Sequence, residues 1–465
     1  MHDPHFRYGE LFRVNWFTPY LLGYMLAYAL LPVVGCGFAM KVVVAAALAA
    51  VPLLTGLTLG ELGGRPRWAL LAIPAMYGFA FNWGLLNYLV AAPVGIAFLL
   101  FAIKHTKKTR IGTSVGLAIF AVCLFFCHVL ICGFLVAICA IYIVFDSPSF
   151  KAGVLRALPL AVIVPLVLFW FGTNQPSEFS KSFITVWDLG WFKTVEPYYF
   201  QIGGAWGRLN GFMPRLFGVE PGLEVNLFGA LLFAVPWLAG CRPNRKWTAW
   251  VPFIACLLVL FAAPSLIFAT DFVYQRFVVF VIPFYLLGMT GGSKAEPKPL
   301  MTALAPLLAL VWVGLITMRM LAFNAEAKGF DEMADRMAPG ERAVSMVFLP
   351  RSEVSIAPVF VHYPQWYAAR RGGVVDPGFS IFDPELVVYR KGQIPPVMIG
   401  FEWEPGSFDW NTHRGDDYRY FMVRAKQEPG GYLFRTAPCA VQLRFHEGLW
   451  WLYEKSDACP SGTTP

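Results

Sequence analysis

Along this chain, long apolar runs alternate with short polar breaks. Runs near 42–60, 68–82, 88–103, 111–145, 157–172, 226–240, 247–268, 272–290 and 300–320 are apolar on every side, without the period-two alternation of a half-buried strand. A helix needs about 17 to 20 such residues to cross about 30 Å of hydrocarbon, so the runs predict membrane-spanning helices. A β-barrel is excluded, because its strands would alternate. Trp16–Met40 is also apolar but is broken by Pro19, Gly23, Pro32, Gly35 and Gly37, and it reads either as a crossing or as an interfacial or re-entrant hairpin. The region 111–145 is too long for one ordinary crossing and holds His128 near its middle, with no Lys, Arg, Asp or Glu. Two short helices turning at His128 fit this pattern best. One strongly tilted helix is the rival.

The polar breaks set direction. Lys104-His105-Thr106-Lys107-Lys108-Thr109-Arg110 is a short basic loop, and such loops stay on the cytoplasmic side. With it held inside, Glu61–Arg67, 146–156, Cys241–Lys246 and 291–299 also fall inside, while 83–87, His128, the long aromatic loop 173–225 and Asp271–Arg276 fall outside. Basic residues cluster on the inner side each time, which favours the hairpin at His128. The side of Met1–Asn15 stays open.

From Asn324 the composition becomes that of a soluble protein. Asp331–Met337 and Trp366–Arg371 read as short helices; Ala343–Leu349, Leu386–Tyr389, Val397–Ile399, Tyr418–Val423 and Ala440–Phe445 read as strands. The expected fold is a polytopic all-α membrane domain of about 10–11 hydrophobic helices over 1–323, with outer loop 173–225, followed by a small α+β extracytoplasmic domain over 324–465. The expected location is the inner (plasma) membrane.

Composition agrees: of 465 residues, 57% are hydrophobic and 14% charged, against about 25% charged in soluble proteins. The formal charge of +8 suggests nucleic acid in isolation, but membrane topology accounts for the basic loops, so no nucleic-acid partner is expected. Seven of the nine cysteines lie in or beside apolar runs and read as small apolar filler, whereas Cys439 and Cys459 lie in the tail, where a disulfide is open to them outside the cytoplasm. The polar, aromatic start MHDPHFRYGELFRVN has no apolar core, so it is no signal peptide. It reads like the interior of a functional loop, an expectation that a further helix precedes it.

Four places carry candidate chemistry. His2, Asp3 and His5, with Glu10 close by, form a dense ionisable cluster; Asp and His two apart suit a divalent cation, Mg or Mn, and the carboxylate of Asp3 or Glu10 suits deprotonation of an acceptor hydroxyl. The plain alternative is a solvated loop. His128 is a functional candidate because ionisable residues in apolar membrane sequence are costly, or else an interfacial, merely hydrogen-bonded ring. Asp271 and Arg276 lie at an outer mouth, where arginine suits a phosphate or pyrophosphate, or else snorkels. In the tail, His362 and Trp366 offer a histidine and an aromatic face for a sugar. Asp416-Asp417 with His413 reads as a solvated turn more readily than as a metal motif. GxGxxG, Walker A, HExxH and GxSxG motifs are absent from the sequence, which removes support for dinucleotide enzymes, ATPases and the familiar hydrolases.

Phe12–Gly23, the inner loop Glu61–Arg67, Asn82-Trp-Gly-Leu-Leu-Asn-Tyr88 and the histidine-tipped hairpin together resemble the GT-C superfamily of polytopic glycosyltransferases. The resemblance implies a polyprenyl-phosphate-linked sugar donor, a lipid, glycan or protein acceptor, and a catalytic acid in the first outer loop. Asp3 matches that position, with Glu10 in reserve. Arg276 matches a phosphate-contacting residue, while His128, Asp271, His362 and Trp366 are expected to bind substrate. The family's usual first transmembrane helix has no counterpart in this sequence. The competing expectations are a transporter or flippase, and a non-catalytic component of envelope polysaccharide assembly.

Overall fold

The computed structural model describes residues 8–174, 204–263, 265, 270–292 and 299–456. By its contacts the chain divides into a helical unit, Phe17–Leu30 with Ala39–Thr317, and a mixed unit that gathers Met1–Trp16, Leu31–Phe38 and Met318–Pro465.

In the helical part, Cys36–Glu61, Leu86–Lys107, Phe150–Thr173 and Ala303–Glu326 are long and apolar enough to cross a membrane, and six shorter apolar helices accompany them among the described residues. This is a coarse multi-pass architecture. The leading helix, Leu21–Val34, has 14 residues, a rise of about 21 Å, which is short of about 30 Å of hydrocarbon. It turns directly into Cys36–Glu61 at Gly35, whose φ of 73° favours glycine. Trp16–Met40 is thus one short helix followed by the first residues of the long helix Cys36–Glu61.

The region 111–145 forms the helices Ile111–Cys127 and Val129–Phe145, with His128 as the residue between them. Both pack on Leu86–Lys107: a Cβ at Gly95 would meet Ile131, and one at Gly116 would meet Phe101. His128 thus lies by Tyr88, near the start of that helix, and His105 lies by Thr113, near its end.

One expected helix is corrected. The run 68–82 forms 3-10 turns over Pro66–Ala72 and Pro74–Tyr77 and a short helix, Phe79–Asn82, and not one α-helix. Pro74 falls inside the run and removes a donor that a continuous α-helix would need, whereas Pro66 sits before the run, at a first position where no donor is used.

At one end of this unit the loops are tied together. Lys107 pairs with Glu61 at 2.9 Å. Arg156 donates to the main-chain oxygen of Thr106 at 3.1 Å, Lys246 pairs with Asp146 at 3.1 Å, and strand β2 (Cys241–Arg242) pairs with β3 (Gly291–Gly292). All the loops assigned to the inner side by charge are therefore neighbours.

The mixed unit centres on a sheet ordered β5 (Val374–Asp376), β4 (Arg342–Val347), β7 (Tyr420–Arg424), β9 (Trp450–Lys455), β8 (Val441–Glu447). β4 runs parallel to β5 and β7, and β9 antiparallel to β7 and β8. Alternate residues of β7 enter opposite cores: Tyr420 and Met422 join Phe360, Tyr367 and Trp450, while Phe421 and Val423 join Val397, Trp410 and Tyr453. Period-two alternation with both faces covered gives a continuous apolar run. Val397–Ile399, expected as a strand, is irregular here, although Val397 is fully buried.

The N-terminal segment belongs to this unit. β1 (Phe12–Val14) pairs antiparallel with β6 (Val387–Tyr389), Phe12 opposite Tyr389 with ring centroids 4.6 Å apart. Tyr389 in turn donates to Asp376 at 2.6 Å, and Arg342 binds the other carboxylate oxygen at 2.7 Å. Cys439 is disulfide-bonded, and the seven cysteines of the apolar runs are free.

Candidate functional site

The end of the helical unit opposite the tied loops gathers two of the expected site residues with a third beside them. His128 caps the helix Val129–Phe145: its Nδ1 accepts from the Leu130 amide at 3.3 Å, satisfying one of the donors that every helix start leaves over. The ring is 2% exposed and lies edge-to-face between Tyr20, at 5.1 Å, and Tyr88, at 5.0 Å. Tyr88 in turn packs edge-on against Phe277, the residue after Arg276, with ring centroids 5.9 Å apart.

Arg276 ends the short helix Val273–Arg276. Its Nε and Nη2 donate to the Asp271 main-chain oxygen at 3.1 and 2.7 Å. The Asp271 carboxyl is half-buried; burial pushes it above the usual carboxylate range, against the pull of Arg276. Between them Phe272 has φ 58°, a left-handed conformation unusual for a bulky residue. Trp83, at 4.3 Å, and Phe79, at 5.3 Å, pack on its ring and hold the turn.

Sequence reading missed the arginines next to this helix. Arg208 lies over the Tyr274 ring at 4.0 Å and donates to the carbonyls of Leu260 and Ala263, capping the helix Val251–Ala262. Arg215 lies 5.6 Å from the same ring and is 8% exposed, in a cleft shared with Phe212, Phe261 and Val278. Gly211 makes this possible, since a Cβ there would meet the Arg215 guanidinium at 2.5 Å. The available signal was a pair of arginines in an aromatic, otherwise weakly charged stretch.

Three polar groups near the His128 end are buried without a partner among the described residues: the Tyr88 hydroxyl, the Asn87 side-chain oxygen and the Gln275 side-chain oxygen. A buried polar group left unpaired costs about 1–3 kcal/mol, so native structures keep few of them.

The other expected site residues are elsewhere. His2, Asp3 and His5 lie outside the described residues. Glu10 is exposed on a 3-10 turn, Gly9–Leu11, just before β1 in the mixed unit. His362 and Trp366 also belong to that unit. His362 packs on Phe379 at 4.7 Å, and burial pushes its imidazole down to about 4. Trp366 packs against the core around Trp450. Asp417 pairs with Arg414 and Arg342, and His413 accepts from the Asp409 amide at 3.0 Å, so this turn is held by its own contacts. Among the described residues no group of three His, Cys, Asp or Glu is placed to hold a metal ion.

No family model matches the chain, no curated protein matches it, and no solved structure matches its fold. What stands is a multi-pass helical architecture followed by a smaller α+β region.

Proposed function

We propose that this protein is a membrane glycosyltransferase that moves a sugar from a polyprenyl-phosphate donor to an envelope acceptor. The observation that carries the reading is the segregation of the helical unit. Basic loops are tied together at one end, while His128, Tyr88, Asp271 and Arg276, with Arg208 and Arg215 around Tyr274, gather at the other. Anionic lipid phosphate suits the second group.

In this reading the donor phosphate binds near Arg276. Asp3 takes the proton of the acceptor hydroxyl, the hydroxyl oxygen attacks the sugar C1, and the C1–oxygen bond breaks with inversion. The lipid phosphate leaves already ionised, so no second acid is required. A divalent cation, Mg or Mn, would be held by His2, Asp3 and His5. The pairing of β1 with β6 supports reading the N-terminal segment with the tail, and the bonded Cys439 supports an oxidising, extracytoplasmic side for that tail.

The test is transfer by the full-length protein in proteoliposomes containing polyprenyl-phosphate sugars and a membrane-extract acceptor. Asp3→Asn is expected to abolish transfer with protein levels intact; unchanged transfer in that variant overturns the assignment. A flippase is the second reading, favoured by the 3-10 interruptions at 66–77 and 277–280, since broken helices line transport pathways. It predicts movement of the lipid-linked sugar across the bilayer without any new glycosidic bond.

A further inference from the structure

The His128 ring is pinned in one orientation with one nitrogen in use. Nδ1 accepts the Leu130 amide proton at 3.3 Å, and an accepting ring nitrogen carries no proton of its own. The neutral ring therefore carries its proton on Nε2. Tyr20 and Tyr88 flank the ring edge-to-face, so it has little freedom to turn. Nε2 has no hydrogen-bond partner among the described residues. The hydroxyl of Tyr88, whose ring centroid lies 5.0 Å from that of His128, is likewise unpartnered among the described residues, on a residue only 1% exposed.

These facts exclude two common uses of histidine. A general base needs an unprotonated nitrogen facing its substrate, and the unprotonated nitrogen here is spent on the cap. A metal ligand would need the lone pair of Nε2, which would move the proton to Nδ1 and break the cap. What remains is donation. Two donors, Nε2–H and the Tyr88 O–H, are left on rings in contact, and Tyr88 packs edge-on against Phe277, the residue after Arg276, whose positive charge is the complement of an anionic oxygen.

We infer that His128 is a neutral hydrogen-bond donor which, with the Tyr88 hydroxyl, positions an oxygen of a phosphate-class anion at the Arg276 end of the helical unit. This deepens the glycosyltransferase reading and rests on its placing of a lipid phosphate there. His128 is a binding and positioning residue, and the charge comes from Arg276.

The experiment measures binding of a short-chain polyprenyl phosphate to the full-length protein in nanodiscs, with inorganic phosphate as a second probe. His128→Asn keeps a good helix cap but lacks a donor at the Nε2 position; His128→Gln places an amide N–H near that position. His128→Asn is expected to keep the thermal midpoint and weaken lipid binding about tenfold or more, the loss of one hydrogen bond to a charged group. His128→Gln is expected to bind within about threefold of the parent, and Tyr88→Phe to weaken binding by about threefold to tenfold. Inorganic phosphate binding as tightly as the lipid, and equally sensitive to His128→Asn, supports the anion site with a soluble source. Parental affinity in His128→Asn overturns the inference and leaves His128 as a cap whose second nitrogen meets water. Binding of neither probe by the parent protein overturns it too. The two proposals fail separately. Binding that depends on His128 without any sugar transfer sinks the enzyme and spares this site, whereas transfer with normal binding in His128→Asn does the reverse.

Discussion

The helical unit buries one histidine at each end, and the two rings are used differently. His105, fully buried, is bonded at both nitrogens, to Thr113 Oγ1 at 2.8 Å and to the Arg156 main-chain oxygen at 3.1 Å, so it staples three segments of the tied end. His128 uses one nitrogen to cap a helix and leaves the other over. His105 belongs to the basic stretch Lys104–Arg110 and His128 to an apolar run, and neither context records how many ring nitrogens find a partner. The difference lies in what each ring has left to offer: a saturated ring holds structure, and a ring with one nitrogen over still has a hydrogen bond to give.

The comparison breaks most completely if the two ends do not face opposite sides of the membrane. In a background with Cys36 and Cys241 changed to serine, Thr109→Cys is expected to react with an impermeant thiol reagent only after cell lysis. Ser380→Cys, in the tail, is expected to react in intact cells. Reversed labelling would invert the assignment of sides, and equal labelling would remove it.

A smaller effect sharpens the comparison with a third histidine. His362 packs on Phe379, and burial pushes its imidazole down to about 4, below the ordinary value of about 6.5 in an unfolded chain. Between these values the unfolded state binds more protons, so stability of the mixed unit is full above about pH 6.5, falls as pH drops, and reaches its floor below about pH 4. The expected loss is about 1–3 kcal/mol, read by denaturant unfolding across that range. His362→Gln is expected to flatten the curve, and an unchanged slope would show that the ring is solvated in the folded state.

Much of the fold was legible because hydrophobic length and loop charge are local. The hairpin at His128 emerged from a run too long for one helix, and the inner loops from their lysines and arginines, and these loops are neighbours in the structure. The short helices expected at Asp331–Met337 and Trp366–Arg371 form at Phe330–Asp335 and Gln365–Arg371. The misses have physical causes. An apolar run has the same composition in 3-10 and α winding, so 68–82 read as an ordinary helix, with Pro66 and Pro74 as the overlooked signal. β1 has three residues and a partner more than three hundred positions away, so nothing near it announces a strand. Val374–Asp376 is similarly short, and Trp450–Lys455 was passed over although its aromatic content favours a strand.

For the site, His128, Asp271 and Arg276 were legible as polar residues in costly places. Tyr88 stood out only as the end of the segment Asn82–Tyr88, because sequence does not record whether a hydroxyl finds a partner. Arg208 and Arg215 converge on Tyr274 from about sixty positions away, a contact made by helix packing alone.

The proposed working end of the helical unit is the one where His128 and Tyr88 meet beside the Asp271–Arg276 turn. The most direct measurement is sugar transfer from a polyprenyl-phosphate donor by two matched variants, His105→Asn and His128→Asn, each checked for thermal stability. His105→Asn is expected to lower the midpoint with near-parental transfer per folded molecule, and His128→Asn to keep a near-parental midpoint with transfer reduced about tenfold or more. Transfer lost on changing His105 and kept on changing His128 would contradict that assignment.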